Sequence, residues 1–198
     1  MKRKTNIFFI CGPHCSGKTS IITRLIEDGI ISFGGTEIGK DFYYARKNEG
    51  FDTEKVGFDF EFEVTNAEIA RDEMIYKNKG IAVLETWHPG NLAYIIKRNP
   101  SIGKDIVKHI QKCSPLLNIK DSIMGIRLDT AWDSIYKRTK TFSDNRNWAA
   151  DFYTEISKKI SYAISIFGLS QVTFPVDANG SFENTYQKVS EIIYKYGA

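Results

Sequence analysis

The sequence predicts an α/β fold in which a parallel β-sheet lies between layers of helices. Four short apolar runs have the length and composition of buried strands, at residues 7–11, 81–84, 123–128 and 172–176. Segments with the apolar spacing of amphipathic helices separate these runs. Strands that alternate with helices are typical of parallel sheets. The chain has 198 residues, enough for one continuous core, so we expect a single domain over residues 1–198.

Composition narrows the class of protein further. Hydrophobic residues make up 42% of the chain and charged residues 26%, as in ordinary globular proteins. The net charge of +3 is too small to indicate a nucleic-acid-binding surface. No window approaches the ~20 apolar residues of a membrane span. The three cysteines are an odd number without a disulfide spacing. We therefore expect a cytoplasmic protein that binds a small molecule, and neither nucleic acid nor a membrane.

Helix signals fill the segments between the strands. An amphipathic helix should follow the first strand and end near Gly29, and Thr65 and Ser101 are predicted to cap the next two helices. A short helix should reach Arg138, and a long helix should end at Gly168. A closing helix with one apolar stripe should complete the fold.

The segment after the first strand has the spacing of a phosphate-binding loop. Residues 12–19 read GPHCSGKT and fit the pattern G-x-x-x-x-G-K-[S/T], between an apolar strand and an amphipathic helix. Glycines let successive backbone N–H groups converge on an anion, and the helix N-terminus adds a favourable dipole. We therefore predict a P-loop that binds the phosphates of a nucleoside triphosphate. Its predicted phosphate-binding residues are Gly12, Pro13, His14, Cys15, Ser16, Gly17, Lys18, Thr19 and Ser20.

Two P-loop side chains have chemistry of their own. Lys18 is expected to bridge the β- and γ-phosphates of the nucleotide, and so to be catalytic. Thr19 is expected to offer its hydroxyl to Mg²⁺, which neutralises charge between the same phosphates. The predicted phosphoryl donor is ATP, and the predicted cofactor is Mg²⁺.

Two predicted strands end in an acid, and ligands bind at the carboxyl ends of parallel strands. Glu85 is the stronger catalytic candidate, because a turn-rich polar and aromatic segment, residues 86–90, follows it. Glu85 is also a candidate metal ligand together with Thr19. A solvated charge at a strand end remains the alternative for Glu85. Asp129 is the second acid of this kind.

Three residues beyond Glu85 are predicted to contact the acceptor. They are Trp87, His88 and Arg98, in and after the turn-rich segment. For His88, a structural role in the turn is an open alternative.

A basic, irregular segment between two helices has the character of a lid over phosphates. The predicted lid covers residues 138–147, and Arg138 and Arg146 are its catalytic candidates. Guanidinium groups match phosphate oxygens with two hydrogen bonds, and a closing lid excludes water. A solvated basic connection is the alternative.

The order of these motifs resembles the thymidylate kinases. The similarity lies in the P-loop, residues 34–39 (GGTEIG), Glu85, residues 92–94 (LAY), residues 127–129 (RLD) and residues 176–180 (VDANG). The acid at the strand end and the basic lid are also similar to deoxynucleoside kinases. The resemblance implies a five-stranded parallel sheet in a three-layer P-loop fold, and an adenine site near Asp177 and Ala178. It leaves a homodimer open.

The sequence departs from thymidylate kinases near the acceptor. Glu85 is followed by Thr86, where those enzymes have an arginine. The arginine that supports their acceptor phosphate has three candidates here, Arg46, Arg71 and Arg98. We therefore expect an ATP-dependent kinase of a nucleoside or a nucleoside monophosphate. A kinase of another small metabolite, and a P-loop ATPase or GTPase that is not a kinase, remain alternatives.

Overall fold

Five parallel strands form one sheet at the centre of the protein. The computed structural model describes residues 6–48, 57–77, 80–139 and 146–197, without the side chains of residues 146–148. The strands are β1 (Ile7–Cys11), β2 (Phe33–Gly35), β3 (Ala82–Glu85), β4 (Ile123–Asp129) and β5 (Thr173–Asp177). Their order is β2-β3-β1-β4-β5, with every neighbouring pair parallel. The predicted fold class and the five-stranded sheet are confirmed.

Helices cover both faces of this sheet. They are α1 (Lys18–Glu27), α2 (Ile38–Asn48), α3 (Phe58–Tyr76), α4 (Trp87–Arg98), α5 (Gly103–Cys113), α6 (Pro115–Asn118), α7 (Trp132–Thr139), α8 (Arg146–Ile166) and α9 (Phe182–Tyr196). Within the described ranges, none of them has both the length and the apolar character that a membrane crossing requires.

The central strand β1 supplies both halves of the core, because successive side chains of a strand point to opposite faces. Phe9 packs in one apolar cluster with residues of α4, α5 and α8. Phe8 and Ile10 pack in a second cluster with residues of α1 and α9. All five residues of β1 are buried. The sheet therefore lies between two layers of helices, and the end of β1 is held from both sides.

Two predicted helix starts differ from the structure. Helix α3 begins at Phe58, so Thr65 lies inside the helix and does not cap it. The Thr65 hydroxyl donates to the carbonyl oxygen of Glu61, one turn earlier, at 2.7 Å. This bond is the usual one for threonine inside a helix. Helix α5 begins at Gly103, two residues after the predicted cap Ser101.

Candidate active site

The P-loop leaves the carboxyl end of β1 and runs into α1. Gly17 stands before the first turn of α1 with a φ of 100°, in the left-handed region that glycine adopts without strain. At Gly12, a Cβ atom would lie 2.9 Å from Ser16 Oγ and 3.0 Å from the carbonyl oxygen of Leu128. The loop therefore requires glycine at both positions that the sequence pattern specifies.

Lys18 folds back over this loop. Its ammonium donates to the carbonyl oxygens of Gly12 at 3.2 Å and Pro13 at 3.1 Å, and its side chain is buried. The hydroxyl of Ser16 is buried in the same loop and has no hydrogen-bond partner in the part of the chain that the structure describes. A buried hydroxyl without a partner is costly, so an anion that accepts its hydrogen would stabilise the loop.

Glu85 lies against the P-loop, because β3 is the neighbour of β1 and Glu85 pairs with Ile10 in the register. Its Oε1 accepts a hydrogen bond from the Thr19 hydroxyl at 2.7 Å. Burial raises the pKa of the Glu85 carboxyl, and the Thr19 hydrogen bond and the charge of Lys18 oppose that rise. The structure thus brings together Lys18, Thr19 and Glu85, and it rules out a solvated charge for Glu85.

The oxygens of Thr19 and Glu85 fit a magnesium ion. Mg²⁺ bound with a nucleotide takes one or two protein oxygens and completes its shell with phosphates and water. A hydroxyl and a carboxylate in contact at a P-loop are suitable donors of this kind.

A cavity of about 1140 Å³ opens from the P-loop. Its lining includes residues 14–21, Glu85, Arg138, Thr139, Tyr153, Phe182 and Thr185. The other lining residues, which we call the acceptor wall, are Glu37, Gly39, Lys40, Tyr43, Tyr44, Phe60, Glu61, Val64, Asn91, Tyr94 and Arg98. The volume is sufficient for a drug-sized ligand.

Arg138 joins the P-loop to the loop after β5. Its guanidinium donates to the carbonyl oxygens of Ser16 at 3.2 Å and Gly180 at 3.3 Å, and also to that of Ala178. The predicted adenine contacts Asp177 and Ala178 do not line the cavity. Asp177 instead accepts two hydrogen bonds from Asn179, and Ala178 is buried. Arg138 therefore fixes the shape of this loop through its carbonyl oxygens.

The other half of the predicted lid cannot be placed. Residues 140–145 and the side chain of Arg146 lie outside the described residues.

The assignment of Trp87 and His88 to the acceptor site is wrong. Both side chains are buried in the core, where Trp87 Nε1 lies 2.8 Å and His88 Nε2 2.7 Å from the carboxylate oxygens of Asp72. The reason is that residues 86–90 do not form a loop: helix α4 begins at Trp87 and turns both rings away from the cavity. Arg98 does line the cavity, at the far end of the same helix.

Several cavity residues were not singled out from the sequence. Tyr94 is one: its hydroxyl accepts a hydrogen bond from the backbone N–H of His14 at 3.1 Å, and the two rings lie 4.5 Å apart. Glu37 is another, and its carboxylate lies 3.8 Å from His14 Nδ1. The signal was present, because the motif strings at 34–39 and 92–94 contain these two residues.

The second strand-end acid lies outside the cavity. Asp129 accepts two hydrogen bonds from the guanidinium of Arg127, at 2.6 and 2.9 Å. It does not line the cavity that Glu85 lines. Of these two acids, Glu85 lines the cavity and Asp129 does not.

The sheet order, the loop after β1 and the buried lysine together define the P-loop nucleoside-triphosphate fold. Solved structures of similar fold include the NadR protein in complex with NAD and AMP-PNP, at TM-score 0.69 and 14% identity over 97% of this chain. The chain spans 49% of that NadR chain, about half its length. The sequence matches no protein-family model and has no significant match among curated proteins.

Two nucleotide-metabolising kinases also share the fold. Thymidylate kinase from Candida albicans aligns at TM-score 0.64 and 15% identity, over 96% of this chain and 92% of its own. Deoxyadenosine kinase from M. mycoides, with bound dCTP, aligns at TM-score 0.62 and 11% identity, over 94% of this chain and 98% of its own. The resemblance to P-loop kinases is confirmed at the level of the fold.

Proposed function

We propose that this protein is an ATP-dependent kinase that transfers the γ-phosphoryl group to a nucleoside that carries no phosphate. The observation that carries the proposal is that each of the three arginines considered for an acceptor phosphate forms an ion pair with a glutamate. Arg46 pairs with Glu63, Arg71 with Glu68 and Arg98 with Glu61.

Each of these pairs engages a guanidinium that could otherwise bind an acceptor phosphate. Arg98 donates two hydrogen bonds to Glu61, at 2.9 and 3.0 Å, and Glu61 is buried. Arg71 donates to Glu68, which is fully buried, and also to the carbonyl oxygen of Thr36 at 2.5 Å. An acceptor phosphate is normally held by guanidinium groups with both N–H edges available. The paired arginines favour an acceptor without one.

The remaining groups of the acceptor wall suit a nucleoside. Glu37 and Glu61 are carboxylates that can accept hydrogen bonds from sugar hydroxyls. Tyr43, Tyr44 and Phe60 offer aromatic surface to a planar base. The ligand NR of a similar NadR structure, and the bound dCTP of deoxyadenosine kinase, are of this chemical class or built on it.

The chemistry follows from the positions of three side chains. The Glu85 carboxylate can accept the proton of the attacking hydroxyl, or hold that hydroxyl in line, because it lines the cavity beside the P-loop. Lys18 and the P-loop amides offset charge on the transferring group. Thr19 would hold Mg²⁺, which supplies further charge neutralisation between the phosphates, and a role as second metal ligand is the alternative for Glu85.

Phosphoryl transfer to a panel of acceptors tests the proposal. Purified protein with radiolabelled ATP and Mg²⁺ is expected to phosphorylate at least one nucleoside, NR included in the panel, with a kcat/KM at least ~10-fold above that for the matching monophosphate. A higher kcat/KM for the monophosphate would contradict the proposal. Transfer only to an acceptor that is not a nucleoside would favour the small-metabolite kinase.

A pair of variants sharpens this test. Glu61→Gln frees the Arg98 guanidinium in the cavity, so the ratio of monophosphate to nucleoside kcat/KM is expected to rise about 10-fold. Glu63→Gln removes the pairing of Glu63 with Arg46, which does not line the cavity, and should leave the ratio unchanged. Equal effects of the two substitutions would show that the arginine pairs do not determine the acceptor.

Nucleotide choice is a separate prediction. The segment 118–121 (NIKD) resembles a guanine-reading motif in composition. It precedes β4, however, and so lies at the amino ends of the parallel strands, whereas the P-loop lies at their carboxyl ends. We therefore expect ATP to bind at least ~10-fold more tightly than GTP, a difference of about 1.4 kcal/mol. Calorimetric titration of both nucleotides measures this. Equal or reversed affinities would favour the GTPase class.

A further inference from the structure

We propose that Asp72 is a positioning residue for phosphoryl transfer. It holds the backbone turn after β3, and through that turn it keeps Glu85 against Thr19. The inference rests on the proposed function only in assuming that Glu85 acts in the reaction.

The turn after Glu85 has an unusual backbone. Thr86 has a φ of 66° and a ψ of −56°, and Trp87 has a φ of 48°. Residues with a Cβ rarely adopt positive φ, and they keep it only where the surrounding structure enforces it. Two such residues in succession, directly after an acid at the P-loop, therefore need a partner that holds them.

Asp72 supplies that partner from α3. Its fully buried carboxylate lies 2.8 Å from Trp87 Nε1 and 2.7 Å from His88 Nε2, on separate oxygens. The Ser114 hydroxyl donates to the same oxygen that His88 contacts, at 2.5 Å, from the segment before α6. Two of its three partners thus belong to the turn and the start of α4, so the carboxylate fixes this segment relative to α3.

The other end of the turn is fixed to β1. The backbone N–H of Thr86 donates to the carbonyl oxygen of Ile10 at 2.8 Å. Glu85 therefore lies between two fixed points, and its carboxylate is 2.7 Å from the Thr19 hydroxyl. Relaxation of Thr86 or Trp87 to negative φ would redirect the chain at Glu85 and move that carboxylate. Displacements of about 1 Å in a catalytic group can cost ~10²-fold in rate.

Asp72→Asn is the first test, with Ser114→Ala as its matched control. The asparagine keeps the size but replaces an acceptor oxygen with an N–H donor, so the turn loses part of its anchor. We expect kcat to fall about 10-fold while KM for the acceptor stays within about twofold. Ser114→Ala also removes one hydrogen bond to Asp72, but it leaves the contacts of Asp72 with Trp87 and His88 in place, and should keep kcat within about twofold.

A second substitution, Thr86→Gly, is expected to rescue the activity of the Asp72→Asn protein. Glycine adopts positive φ without strain, so Thr86→Gly should restore kcat at least ~threefold in the Asp72→Asn protein. A merely structural Asp72 would give no rescue, because an added glycine also favours the unfolded chain. Equal loss of kcat in Asp72→Asn and Ser114→Ala, or no rescue by Thr86→Gly, would overturn the proposal.

Two further measurements keep the proposal testable if an assay fails. If Asp72→Asn does not fold, Trp87→Phe removes one turn donor and keeps an aromatic ring, and the same loss of kcat is expected. If the wild type phosphorylates no acceptor, the proposed function fails but the turn can still be tested by amide hydrogen exchange. The Thr86 amide, which donates to the Ile10 carbonyl oxygen, should then exchange at least ~fivefold faster in Asp72→Asn than in wild type. An unchanged exchange rate would overturn the proposal.

Discussion

Replacing Lys18 with alanine is expected to lower phosphoryl transfer by at least ~10²–10³-fold, the cost of removing one donor that stabilises the transition state. Lys18 is the first residue of α1, and its ammonium contacts only carbonyl oxygens of the P-loop in the structure. It is therefore free to exchange these partners for phosphate oxygens. Radiolabelled ATP with the best acceptor of the panel measures the effect.

Thermal unfolding of the same variant provides the control. Lys18 donates to two carbonyl groups of the loop and belongs to neither apolar cluster of the core, so we expect the melting temperature to change by no more than about 4 °C. Unchanged phosphoryl transfer in a folded Lys18→Ala protein would contradict the assignment of residues 12–19 as a working P-loop.

Glu85→Gln is expected to lower phosphoryl transfer by ~10² or more, while binding of an ATP analogue stays within about threefold. Glutamine keeps the oxygen that accepts the Thr19 hydrogen bond but lacks the charge that a base requires. Asp129→Asn is the matched control. It removes the other strand-end carboxylate, which pairs with Arg127 outside the cavity, and should leave transfer unchanged.

The pH dependence of kcat/KM is a second test of Glu85 as the base. Burial raises the pKa of its carboxyl above the usual range of glutamic acid, and a base must be deprotonated to accept a proton. In wild type, kcat/KM should therefore fall with decreasing pH at a higher pH than for an ordinary glutamate, and this acid limb should vanish in Glu85→Gln. If the variant instead loses Mg²⁺-dependent nucleotide binding and keeps normal transfer at saturating ATP, Glu85 is a metal ligand and not the base.

The sequence was most informative where chemistry is local. The P-loop, the strand before it and the helix after it are consecutive in the chain, so one pattern specified the phosphate site down to Gly12 and Gly17. Glu85 could be placed beside it because parallel strands end at the same edge of a sheet.

Prediction was wrong where local composition had two interpretations. Pro89 and Gly90 suggested a loop after Glu85, but proline is tolerated in the first turn of a helix, and α4 begins at Trp87. The polar groups of Trp87 and His88 then seemed free to bind an acceptor. Their partner, Asp72, comes from another helix, and no spacing in the sequence reveals such a contact.

The acceptor wall was the hardest part to anticipate, for the same reason. Its composition and the i,i+3 spacing of Glu68 and Arg71 can be read from the sequence, but the pairing of Arg98 with Glu61 cannot. Arg98 and Glu61 lie on different helices, α4 and α3, and only the packing of those helices turns a basic residue into a neutral pair.

The parallel pairing of the central strand also constrains the order in which the protein folds during synthesis. Ile7 pairs with Ala82 on one side and with Ile123 on the other, so β1 has no neighbour close to it in the chain. Contacts between distant segments form late, because closing long loops costs entropy before the contact offsets it. During synthesis, β1 leaves the ribosome long before either partner strand exists. The P-loop is therefore translated before the strands that support it, and it acquires that support only after β4 has been added.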